Sequence, residues 1–110
     1  MAPKRPRLIA SFSIFPLGVG TSVGDYTRKS FLALSEMKGV KVYPNAMSTV
    51  MEAGSMEKLL EAIKAAHKAM LDTGAQRIYM VLTVDDRRDR PHTAGYKLER
   101  LLTGKAAQGA

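Results

Sequence analysis

An α+β two-layer sandwich is predicted by three observations on the 110-residue sequence. Four segments alternate apolar and polar residues with a period of two, as half-buried strands do. Two intervening segments repeat apolar residues at the i, i+3, i+4 spacing of amphipathic helices. The order β-α-β-β-α-β then allows a single antiparallel sheet in which right-handed crossovers lay both helices on one face.

Each element has its own signal. Residues 8–16 place Ala10, Phe12 and Ile14 on one face and Ser11, Ser13 and Phe15 on the other, and Pro16 closes the run. The stretch FPLGVGTSVGDY leads into a helix that Ser22 is expected to cap, with Asp25 three residues on in a capping-box-like position. Tyr26, Ser30, Phe31, Leu34 and Met37 continue it at helical spacing as far as Gly39. A short strand over 40–43 reaches a turn at Pro44 and Asn45, and a third strand over 46–53 alternates Met47, Thr49 and Met51 with Ser48, Val50 and Glu52.

Ser55 caps the second helix, whose apolar stripe includes Met56, Leu59, Ile63, Ala66, His67 and Met70, while Glu57, Lys58, Glu61, Lys64 and Lys68 face water. After Gly74, the run RIYMVLTVDD sets Ile78, Met80, Leu82 and Val84 against Tyr79, Val81, Thr83 and Asp85. A charged corner, DDRRDRP, precedes a last short helix over 93–102. The whole is the ferredoxin-like βαββαβ sandwich with an extra C-terminal helix, in one domain over residues 8–103, with a disordered basic arm at 1–7 and a flexible tail at 104–110 expected outside it.

Composition narrows the function classes. No apolar run approaches the roughly 20 residues that span a bilayer, so no membrane partner is expected. The basic start followed by LIASFSIFPLGVG resembles a secretory leader only superficially, because Ser11 and Ser13 interrupt it with period two. The absence of cysteine excludes disulfides, thiolate chemistry and cysteine-bound zinc, and suits a cytoplasmic protein.

Few motifs carry chemistry. Gly18, Gly20 and Gly24 miss the dinucleotide fingerprint by one residue and lack the lysine of a P-loop. What remains there is a helix N-terminus at which the Thr21 and Ser22 hydroxyls could assist an anion, beside the plainer reading of capping and turn chemistry. His67 lies on an apolar stripe and reads as a packed or interface histidine, and His92 reads as an exposed loop residue; two histidines without a thiol make no metal site. DDRRDR reads as a solvated salt-bridge corner, with Asp85 alone at the rim of the open sheet face. An RNA-recognition module shares the topology, but NAMSTVME lacks the aromatics that stack bases, so no specific nucleic acid is expected despite a net charge of +7. No enzyme, cofactor or metal is expected.

The sheet face away from the helices gathers Ser11, Ser13, Phe15, Tyr43, Ser48, Val50, Glu52, Tyr79, Val81, Thr83 and Asp85. That mixture is too polar for a private core and too apolar for water alone, which implies a covering subunit, a ligand or both.

Four parts of the chain, in order over about residues 8–103, carry a family likeness: the strand ending in PLG before a Thr/Ser-rich turn, Thr49-x-x-Glu52, the AAH at 65–67, and DDRRD. The chain resembles the small thiamine-binding protein family, long catalogued as uncharacterised ferredoxin-like proteins of archaea and bacteria. The resemblance implies a homotetramer built as a dimer of dimers, binding thiamine or a related pyrimidine, with no reaction attached. Ser48 stands where relatives often carry glycine, so the pocket floor is expected to differ in shape.

Thiamine joins a cationic thiazolium, an aminopyrimidine and a hydroxyethyl group, so a receptor wants an aromatic face, a carboxylate and hydroxyls. On the open face, Phe15 and Tyr79 are expected to stack. Glu52 and Asp85 are expected to meet charge or the exocyclic amine, and Ser11, Ser48 and Thr83 to hydrogen-bond; Thr49 joins them through the family motif. A phosphorylated form would place its anion at the loop of Thr21 and Ser22 or at Arg87 and Arg88. The expected function is non-enzymatic binding of thiamine, a thiamine phosphate or hydroxymethylpyrimidine near a subunit interface. The alternatives are a structural or regulatory homo-oligomer without a small ligand and, behind it, a nucleic-acid-binding module.

Overall fold

The alternation of the first strand is realised residue by residue. β1 (Leu8–Pro16) buries Leu8, Ala10, Phe12, Ile14 and Pro16 and leaves the side chains between them half-buried. The structure, a computed structural model, describes residues 6–104. It continues with α1 (Gly24–Ser35), β2 (Val40–Pro44), β3 (Thr49–Ala53), α2 (Met56–Leu71), β4 (Ile78–Asp86) and α3 (Ala94–Thr103). The strands form one antiparallel sheet in the order β2-β3-β1-β4, the ferredoxin-like arrangement with an added C-terminal helix.

Register fixes which side chains share a face. Phe12 pairs with Thr49 and Leu82, and Ala10 with Met51 and Val84, so these six point toward the helices. Ile9 pairs with Glu52 and Asp85, Ser11 with Val50 and Thr83, and Phe15 with Tyr79, all on the other face. The core between sheet and helices is filled by Leu34, Val40, Met51, Leu59 and Met70. The small residues Ala62 and Ala66 are fully buried, and Ser30 Oγ donates to the Ala66 carbonyl at 2.9 Å across the α1–α2 contact. The two helices pack on β1, β2 and β3 and leave β4 largely uncovered: Met80 and Val84, on the helix side of the sheet, are 40% and 37% exposed.

Local signals mostly act as their residue types dictate. Ser55 Oγ accepts from the Lys58 N–H at 3.2 Å, and Thr93 Oγ1 from the Tyr96 N–H at 3.1 Å, each satisfying a first-turn donor. The loop before α1 turns at Gly18 and Gly20, whose φ values of 86° and 92° are strained for any residue with a side chain.

Four expectations are corrected. Ser22 does not cap α1: Val23 holds that position without a side-chain bond, and a shift of one residue carries the Ser22 hydroxyl off the first-turn donors. The third strand begins at Thr49, not 46, because residues 45–48 close a turn in which the Asn45 N–H donates to the Ser48 carbonyl at 2.9 Å. His92 is buried, 6% exposed, since its N–H is bound to the Pro6 carbonyl and draws the loop onto the body. Pro6 and Arg7, expected to belong to the arm, are held to the body: the Arg7 N–H donates to the Ala53 carbonyl and its guanidinium to the Arg88 carbonyl. Residues 1–5 of the arm and 105–110 of the tail lie outside the described residues.

Candidate functional site

β1 outlasts its partner on one side. Its ladder with β4 runs to Pro16, whereas its ladder with β3 stops at Phe12↔Thr49. Beyond that point the β2–β3 turn stands in place of a strand, attached through Ser13 Oγ, which donates to the Met47 carbonyl at 3.1 Å. The gap opens into a cavity of about 740 Å³, within the size range of small-molecule sites.

Its floor is apolar, made by Phe12, Ile14, Phe31 and Leu34. The rim is mixed: Ser13, Asn45, Ser48 and Thr49 come from the sheet end and the turn, and Val23, Gly24, Thr27 and Arg28 from the start of α1. Met47 and Val81 complete the wall; Met47, at the turn, is 88% exposed. Beside it Phe15 meets Tyr79 edge to face, centroids 5.3 Å apart at 82°.

The ten expected site residues divide along the sheet. Phe15, Ser48 and Thr49 line the cavity, and Tyr79 touches Phe15. Thr49 reaches it from the helix side, since three residues along a strand put it on the face opposite Glu52. Thr21 and Ser22 lie exposed in the loop before α1. Ser11 and Thr83 face each other in the middle of the open face and do not line the cavity.

Glu52 and Asp85 flank Ile9, six residues along β1 from Phe15 and hence about 20 Å away at roughly 3.3 Å per residue. Both are engaged in holding α3. Glu52 is only 4% exposed; it accepts from the Tyr43 hydroxyl at 3.3 Å and, through its other oxygen, from the Ala94 N–H in the first turn of α3. Asp85 Oδ2 accepts from Lys97 Nζ and lies 3.3 Å from His92 Nε2. The Lys97 ammonium first, and His92 second, hold the Asp85 carboxyl below its ordinary value. Next to it the expected salt-bridge corner is present: Arg87 clamps Asp89 and lowers its pKa, and Arg88 meets Asp86 at 2.9 Å.

Reasoning from the sequence missed Ser13, Thr27, Arg28 and Phe31 as cavity residues. A signal existed for three of them: positions 24, 27, 28 and 31 follow the helical i, i+3, i+4, i+7 spacing and form one face of α1. No group of three or more His, Cys, Asp or Glu suited to a metal occurs among the described residues.

Fold and cavity together define a small ferredoxin-like domain with a ligand-sized recess at the end of its sheet. Comparison with known proteins gives the family. The chain matches the model of the thiamine-binding protein family over residues 10–102, and it belongs to that family. It is 37% identical over 93 residues to a UPF0045 protein of Methanothermobacter thermautotrophicus, covering 84% of this chain and 93% of that one. The crystal structure of the Methanocaldococcus jannaschii protein MJ1052 superposes with a TM-score of 0.78 at 36% identity, over 86% of this chain and 95% of the other. A Thermotoga maritima protein, described as a proposed thiamine biosynthesis or salvage protein, shares the fold at 18% identity and a TM-score of 0.71, over 87% and 99% of the two chains.

Proposed function

We propose that the protein binds thiamine, a thiamine phosphate or the hydroxymethylpyrimidine moiety in the cavity at the end of the sheet, without catalysing a reaction. Membership of the thiamine-binding protein family supports the ligand class. The observation that carries the location is the recess itself, where an apolar, aromatic floor is rimmed by hydroxyl and amide groups able to meet a pyrimidine edge. Phe15, Ser48 and Thr49 remain from the expected set, and Ser13, Thr27 and Phe31 join them. Glu52 and Asp85 have other duties.

Self-association belongs to the same reading. β4 is nine residues long, largely uncovered by the helices, and free of proline and lysine, whereas the opposite edge β2 has five residues with Lys41 and Pro44. α3 leaves Leu98, Leu101 and Leu102 57–80% exposed on one stripe. An unprotected edge and an uncovered apolar stripe favour a homo-oligomer, read here as a dimer of dimers, in the cytoplasm.

The test is calorimetric titration of two near-isosteric variants with thiamine and hydroxymethylpyrimidine. Thr49→Val removes a rim hydroxyl and should weaken binding about 5- to 10-fold, the worth of one neutral hydrogen bond. Glu52→Gln, which disturbs the α3 anchor, should leave affinity within about twofold. The reverse ranking would move the ligand to the open sheet face.

A further inference from the structure

The recess carries one formal charge, and it is positive. Of the side chains that line it, only Arg28 ionises; no carboxylate is among them, Asp25 lying one residue beyond Gly24 in the first turn of α1. Arg28 is exposed, lies in α1, and has no ion-pair partner among the described residues. The other rim groups, Ser13, Asn45, Ser48 and Thr49, are neutral. The carboxylates that would balance a cation, Glu52 and Asp85, are engaged with α3 at the far end of the sheet. A guanidinium at the mouth of an apolar recess favours an opposite charge and penalises a like one.

From this we infer that the site selects a ligand bearing an anionic group, a phosphate ester above all, which pairs with Arg28 while the ring system occupies the floor by Phe12, Phe31 and Leu34. The inference rests on the reading that this recess is the ligand site, and among the ligands of that reading it singles out the phosphorylated ones. A bare thiazolium cation enters a recess that offers it no counter-charge. A phosphate monoester brings two negative charges to a fork of donors shaped for bidentate contact with oxyanions. Gly24, on the rim, begins α1, whose N-terminal backbone charge has the same sign as Arg28, with Asp25 in the same turn offsetting part of it.

Calorimetric titration of the full chain with thiamine, thiamine monophosphate, hydroxymethylpyrimidine and its phosphate tests this. On the unmodified protein each phosphorylated compound should bind on the order of tenfold tighter than its unphosphorylated counterpart, as a charged hydrogen bond allows. In Arg28→Gln that ratio should fall to within about threefold, with Arg28→Lys between the two. Equal or tighter binding of the unphosphorylated compounds, or a ratio that Arg28→Gln leaves intact, overturns the inference while the site stands. Absence of heat with all four compounds, or a Thr49→Val variant that binds them as the unmodified protein does, overturns the site and this inference with it.

Discussion

Asp85 is half exposed, yet one of its oxygens serves two donors, Lys97 and His92, that lie 12 and 7 residues further along the chain. Its lowered pKa gives the sign of a pH effect. A carboxylate depressed in the folded state contributes stability above its unfolded value of about 4, and that contribution fades as pH falls through the lower folded value. Because water reaches the pair, its worth is at most about 1 kcal/mol. Asp85→Asn should therefore speed amide hydrogen exchange over residues 93–97 at neutral pH, and the difference from the unmodified protein should vanish in acid. Exchange at those amides, followed from pH 7 down through the acid range, checks both statements. Glu52 is the stronger anchor of the two, being buried and bonded to the α3 backbone itself.

Among the elements, α1 joins core and candidate site. One face presents Ser30 and Leu34 to α2 and the sheet; the adjoining face presents Thr27, Arg28 and Phe31 to the recess. Ser30 sits where α1 meets α2, with no exposed surface. Ser30→Ala should cost about 1 kcal/mol in urea unfolding, the worth of one neutral hydrogen bond. Ser30→Leu should cost more, roughly 1–3 kcal/mol, by forcing the helices apart. A leucine variant as stable as the alanine one would show that the contact has slack.

Strand faces were legible in the sequence because period two admits only two sortings, and Ser11, Val50, Glu52, Tyr79, Thr83 and Asp85 lie on the face read for them. The point where β3 parts from β1 was not. Alternation through Met47, Thr49 and Met51 runs on past the last paired residue, and only the turn at 45–48 reveals the gap. Nor could the engagement of Glu52 and Asp85 be foreseen, since it depends on the path of the loop that brings His92 and Ala94 back over the sheet.

For the molecule as a whole, the helices cover three strands of four, and α3 is tied down by its first turn while its leucines face outward. If copies of the chain meet along β4 and α3, the paired substitution Leu101→Glu and Leu102→Glu should shift sedimentation velocity to a smaller species without loss of helical signal. Unchanged sedimentation would rule out a contact along β4 and α3. These residues are 78% and 80% exposed, so the change should cost the lone chain little.

The bare flank at β4 has a thermodynamic corollary. If copies of the chain complete that surface, as proposed, stability follows mass action, each tenfold dilution of a dimer removing about 1.4 kcal/mol. Melting temperature then becomes a function of how much protein is in the tube. For such a chain, abundance in the cell is itself a folding variable.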